Sequence, residues 1–162
     1  MTQQVLVSDA NILIDMEEGE LLTTFFALPF EFIIPDILFE EELVDEHPHL
    51  PELGLKLEEL SGELMAKVFE LIAVHAKPSR NDMFAMCLAM ERGCPLLTGD
   101  KDLRVAAQQE GVLVKGTIGM VEAMIQQNII TVDQAEAAYQ AMKNAGRRLP
   151  WDAVEASLNQ LR

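Results

Sequence analysis

The sequence predicts an α/β protein: a three-layer α/β/α sandwich with a central, mainly parallel sheet of four or five strands, followed by C-terminal helices. Three observations carry this. The runs Val5–Val7, Phe32–Ile34 and Leu96–Leu97 are apolar without alternation, as strands covered on both faces are. Stretches with helical spacing of apolar residues separate them, and strands alternating with helices build a parallel sheet. Breaks carrying Asp, Gly or Pro follow the runs, at Asp9, Pro35 and Gly99.

In chain order, QVLVS at 4–8 is the first strand. It ends in Asp9-Ala10-Asn11, where Asp or Asn suits a helix N-cap and Ile12, Leu13 and Met16 take up helical spacing. Gly19 interrupts, and 21–28 forms a short second helix stopped by Pro29. EFIIP at 31–35 is the second strand, and a helix over 36–46 follows it. His47-Pro48-His49-Leu50-Pro51 is a break, and 53–60 is a weak edge strand or an irregular crossing. Ser61 caps a long helix to about Ala76. A second break at Lys77-Pro78 precedes a helix over 79–93, with Ser79 and Asp82 as a capping box and Gly93 as its stop.

Leu96–Leu97 is the third strand, and Asp102–Glu110 is helical. Val112–Val114 is the fourth strand, with a helix over 118–127 beyond it. Two tail helices, 132–144 and 150–161, close the chain, separated by the basic Gly146-Arg147-Arg148-Leu149. The organisation expected is one unit over 1–128 and a helical extension over 129–162 packed on it.

The 162 residues suffice for a sizeable core without disulfides, and the two cysteines, Cys87 and Cys94, form no CxxC pair. Free thiols, no signal peptide and no apolar run of about 18 residues lead to a cytoplasmic protein with no membrane partner. The formal net charge of -15 excludes a general nucleic-acid coat protein, which needs Lys and Arg to displace counterions. It leaves room for an enzyme that meets nucleic acid locally, through metal ions. The acid is uneven. Residues 31–63 carry eleven Asp or Glu against Lys56 alone, whereas 77–115 carry five acids and six bases. A phosphate backbone would approach the second region.

The acids recur at strand ends. Asp9 ends the first strand, Asp100 and Asp102 follow the third, and Asp82 lies in the first turn of the helix leading into it. Glu40, Glu41 and Glu42 stand in the helix after the second strand. In a parallel sheet the strand C-termini share one edge, so Asp9, one glutamate of 40–42 and Asp100 can converge there, and Asp82 joins them if its helix start faces that edge. Each has an ordinary structural reading, as cap, turn residue or solvated face. Together they repel: two like charges ~4 Å apart cost on the order of 4 kcal/mol at an effective dielectric of ~20. A cation offsets that cost. Oxygen ligands without His or Cys suit Mg²⁺ or Mn²⁺, and such ions activate water and stabilise a transferring phosphoryl group. Phosphodiester hydrolysis is the indicated reaction class.

The motifs V-S-D-A-N-I-L-I-D, I-I-P-D-I-L-F-E-E-E-L, S-R-N-D-M-F-A-M-C-L-A and L-L-T-G-D-K-D-L, in this order, resemble the PIN domain, the ribonuclease fold of the VapC toxins of bacterial toxin–antitoxin pairs. The resemblance runs from about Val5 to Ile125. It implies a site of Asp9, Glu41, Asp82 and Asp100, with Glu40 and Glu42 one residue from the position assigned to Glu41. Asp9, Asp82 and Asp100 would bind Mg²⁺ or Mn²⁺, Glu41 would complete the shell or orient water, and Asp102 would serve a second ion. Asn11 and Thr98 would hold ligands or water by hydrogen bonds. Lys77, Arg80, Lys101 and Arg104 are candidate phosphate contacts. RNA as substrate, a homodimer and a small antitoxin partner are further implications. The tail is similar to that of longer PIN proteins, in which a G-T-I-G-type turn, here Gly116–Gly119, precedes helices. Two rivals stand beside this reading. One is a catalytically silent PIN-like interaction module. The other is a haloacid-dehalogenase-type phosphatase, which needs an aspartate where Asn11 stands.

Overall fold

The computed structural model describes residues 3–162, so the first two residues of the 1–128 unit lie outside it. Five strands form one sheet: β1 (Gln4–Ser8), β2 (Phe30–Pro35), β3 (Lys56–Glu58), β4 (Leu96–Leu97) and β5 (Val114–Lys115). Their order is β3-β2-β1-β4-β5, and every neighbouring pair is parallel. β1 is therefore central. Ser8 at its C-terminal end is level with Leu97 of β4, which is level with Lys115 of β5. The 53–60 segment resolves into the edge strand β3.

Helices flank the sheet, giving the α/β/α sandwich. On one side α6 (Arg80–Arg92) packs on β1 and β2, with α3 (Asp36–Glu42), α5 (Gly62–Val74) and α7 (Lys101–Gln109) against it. α6 is buried continuously from Met83 to Ala89. Its apolar surface is wider than the Met83, Met86, Cys87 and Met90 stripe seen in sequence, because sheet and helices enclose it. α1 (Ala10–Glu18), α2 (Leu22–Phe26) and α8 (Thr117–Gln126) form a second group. The tail helices α9 (Val132–Asn144) and α10 (Trp151–Leu161) pack on α1 and α8.

Several boundaries differ from the sequence reading; α2, for example, spans Leu22–Phe26 rather than 21–28. The 36–46 helix ends at Glu42, because the Val44 N–H bonds Phe39 O, five residues back, and the chain unwinds into a turn. That turn carries buried His47 onto Glu17 of α1. The 47–51 break contains a short helix, α4 (Leu50–Leu53), for which Pro51 is a suitable early residue. β5 begins at Val114 rather than Val112. Among the described residues no helix is long and apolar enough to cross a membrane, and Cys87 and Cys94 are free thiols.

Candidate active site at the sheet switch point

The strand order reverses between β1 and β4, and in open parallel sheets the crevice beyond such a switch point is where ligands bind. Asp9 leaves the end of β1 there, and Thr98, Gly99 and Asp100 leave the end of β4. A backbone bond from Asp9 N to Leu97 O, 3.0 Å, fixes the two ends together.

Asp9 is 1 % exposed. It caps α1, with Oδ1 accepting from Ile12 N at 3.0 Å. Its Oδ2 accepts from Thr98 Oγ1 at 2.5 Å. The same Thr98 oxygen accepts from Asp100 N at 3.0 Å, so one buried hydroxyl ties two of the sequence-assigned acids together. Asp100 caps α7, its Oδ1 accepting from Leu103 N at 2.9 Å. Asp82 is the third residue of α6. It closes the capping box: Ser79 Oγ accepts from Asp82 N at 3.1 Å, and Asp82 Oδ2 from Ser79 N at 3.2 Å.

Electrostatics link the three aspartates. Burial raises the Asp9 carboxyl to about 7, against the lowering effect of its bonds from Thr98 and Ile12, and the nearby Asp82 and Asp15 charges push it further up. Burial also raises Asp82, and Asp100 adds to that shift. Asp9, Asp82 and Asp100 thus share one field at the sheet edge.

The remaining assigned residues are arranged around them. Of the three glutamates, Glu41 reaches the start of α6. Its carboxylate accepts from Arg80 Nη2 at 3.0 and 3.2 Å and from Asn81 Nδ2 at 3.0 Å. Arg80, assigned to phosphate, is therefore engaged by an acid of the same chain. Asp102 is exposed on α7 and lines a groove with Lys77 and Lys101 rather than joining the Asp9–Thr98–Asp100 chain. Arg104 lines a separate notch that also contains Thr98 and Gly99. Asn11 Oδ1 accepts from Arg147 Nη2 at 3.2 Å.

Sequence reasoning passed over two parts of this region. Asn81 bridges α6 to Glu41, and its Oδ1 is buried without a partner. Asp15 is buried and accepts from Thr117 Oγ1 at 2.8 Å and from Arg147 Nε at 2.7 Å. Asp15 stands in the V-S-D-A-N-I-L-I-D motif and Asn81 in S-R-N-D. Neither carries a local signal for partners 40 or more residues away.

The donor set, aspartate and glutamate oxygens, fits a hard divalent cation, and the buried Asn81 Oδ1 has no partner among the described residues. Among the described residues no three His, Cys, Asp or Glu side chains stand close enough to form a ready cage. Mg²⁺ does not require one. It keeps several waters and takes one or two protein carboxylates, with substrate phosphates completing the shell.

The sequence profile of the PIN domain family matches residues 5–162, and the chain belongs to that family. Its members are generally nucleases and generally use divalent metals. No curated protein matches significantly. Among solved structures, the chain is similar to a PilT N-terminus domain protein from the hyperthermophilic archaeon Sulfolobus solfataricus P2. The identity is 13%, the TM-score 0.51, and the match covers 75% of this chain and 94% of that one. At that identity the likeness speaks for the fold alone.

Proposed function

We propose that this protein is a divalent-metal-dependent endoribonuclease that hydrolyses RNA phosphodiester bonds at the β1/β4 switch point. The observation that carries the reading is the buried Asp9–Thr98–Asp100 chain, with Asp82 in its field. A structural cap has no need to hold a carboxylate in a place that raises it to about 7. A cation site does, since the ion restores what burial removes.

Asp9, Asp82 and Asp100 hold Mg²⁺ or Mn²⁺, directly or through water. When bound, the ion supplies an activated water and neutralises charge on the phosphoryl oxygens. Thr98 sets the spacing of Asp9 and Asp100. Glu41, steadied by Arg80 and Asn81, orients the attacking water, and Asn81 Oδ1 is a further acceptor for that water. Lys77, Lys101 and Arg104 meet phosphates of the strand.

Cleavage of a structured RNA in Mn²⁺ tests this. Asp9→Asn and Asp100→Asn should each lose on the order of 10²–10⁴-fold in rate. Equal activity in all three proteins rejects the reading. Millimolar Mg²⁺ should raise the melting temperature of the native chain, because an ion bound to the folded state stabilises it, and should leave Asp9→Asn unmoved.

A silent interaction module is the second reading, favoured by the Arg80–Glu41 pair, which occupies one of the four acids. An inactive native chain with no Mg²⁺ shift would select it. The nuclease reading extends to the toxin of a toxin–antitoxin pair, acting as a homodimer and covered by a small antitoxin. Sedimentation of the purified chain, and its co-purification with the product of an adjacent short reading frame, test those two partners.

A further inference from the structure

In a chain with 12 Lys and Arg against 27 Asp and Glu, the location of unspent bases is informative. Lys56, Arg80, Arg92, Arg147 and Arg162 are in ion pairs. The other seven form none among the described residues, and three of them, Arg104, Lys115 and Arg148, line one notch of about 220 Å³. Thr98 and Gly99 are part of its wall, so it opens directly beside the Asp9–Thr98–Asp100 chain.

The single acid in that lining is Asp15, and Thr117 and Arg147 already engage both of its oxygens. The notch is therefore positive in a protein of net charge -15. Lys115 Nζ lies over the Phe30 ring, 5.9 Å from its centroid, which leaves Arg104 and Arg148, both exposed, as the available cations. Gly116 caps α8 without a side chain, so the first N–H groups of α8 add unfilled donors at the same wall. The volume is below the ~300–1,000 Å³ of small-molecule pockets, and it suits a phosphate with a sugar edge rather than a whole cofactor. Arginine is the side chain whose planar donors match phosphate.

We propose that this notch binds a backbone phosphate of the RNA strand next to the one that is cut. The C-terminal tail is then part of the substrate surface: Arg147 anchors it on Asp15 and Asn11, and Arg148 contacts the strand. The proposal rests on the nuclease reading of the neighbouring site.

The test is fluorescence anisotropy with a labelled 12-nucleotide oligouridylate, in Ca²⁺ to hold cleavage back. Arg148→Ala and Arg104→Ala should each weaken binding by about tenfold. Each should also lower the slope of log Kd against log salt by about 0.7, the single-strand value for one phosphate. Lys67→Ala, on the exposed face of α5, should bind as the native chain does. Unchanged melting temperatures show that the arginine variants fold. In Mn²⁺ both variants should raise KM and leave kcat near native, as loss of uniform binding requires. Native binding or cleavage with both arginine variants equal to it overturns the notch and leaves the nuclease reading standing. A native chain that neither binds nor cuts RNA overturns both. Tight binding of uridine 5′-monophosphate alone, lost in Arg148→Ala, marks a mononucleotide site and overturns the assignment to a strand.

Discussion

Asp9 is held where an ionised carboxylate is costly. Its carboxyl is raised to about 7 from 3.8, with burial the leading cause. Between about pH 4 and pH 7 the folded chain therefore holds a proton that the unfolded chain has released. The linkage follows in sign: this group's contribution is full below the unfolded pKa and is lost as pH rises through the folded one. Over the whole window that is on the order of 4 kcal/mol. Asp82, raised by burial and then by Asp100, adds with the same sign. Asp9→Asn removes the charge and keeps an acceptor for Ile12 N. In chelator at pH 8 the variant should melt several degrees above the native chain, at about 2–4 °C per kcal/mol for a chain of this size. At pH 4 the two should coincide. The cleavage rate of the variant should fall by the same ~10²–10⁴-fold as above, a stability–function trade at one residue. A variant that melts below the native chain at pH 8 would show that hydrogen-bond geometry at Asp9, and not its buried charge, dominates.

At the scale of elements, α6 presents Asp82 from a capping box and Asn81 from the same first helical turn. Ser79→Ala removes the acceptor of Asp82 N but not the Ser79 N–H that holds Asp82 Oδ2. It should cost about 1 kcal/mol of stability by urea titration and change the cleavage rate by no more than a few fold. A rate loss as large as that of Asp82→Asn would mean that the cap sets the position of Asp82. What was legible in the sequence at this scale is what local chemistry decides. The S-x-x-D box of α6, the Asp9 and Asp100 caps and the Gly93 stop (φ 61°) are written within a few residues. So are the apolar runs of β1, β2 and β4. The end of α3 was not legible, because it depends on the docking of His47 on Glu17, 30 residues away. Nor was the engagement of Glu41 by Arg80, which needs α3 and α6 side by side. Strand β3 is exposed at Lys56 and Leu57. It has no apolar run of its own and exists because β2 offers it an edge.

For the molecule as a whole, Arg147 is the side chain that fastens the tail to the site end of α1. Arg147 bonds Asp15 at 2.7 Å and reaches Asn11, two residues from Asp9, so it joins the link between α9 and α10 to α1. Asp15 is 8 % exposed, and removing Arg147 leaves its carboxylate with Thr117 alone. Arg147→Ala should therefore cost about 1–3 kcal/mol, the range for an unpaired buried polar group. Exposed Arg148→Ala should cost less than about 0.5 kcal/mol. A double-mutant cycle with Asp15→Asn should return a coupling of at least about 0.5 kcal/mol if the pair acts as a unit. The sole tryptophan, Trp151, lies at the start of α10, packed on the core beneath Lys143. Its fluorescence reports the tail, while far-UV circular dichroism reports the whole chain. If residues 129–162 fold as part of one unit, the two signals should follow one urea transition in the native protein, as two-state unfolding demands. In Arg147→Ala the fluorescence midpoint should move below the dichroism midpoint as the latch is lost. Coincident midpoints in the variant would mean that the apolar contacts of α9 and α10 hold the tail by themselves, and that Arg147 orients the Asn11 end of the site without securing the helices.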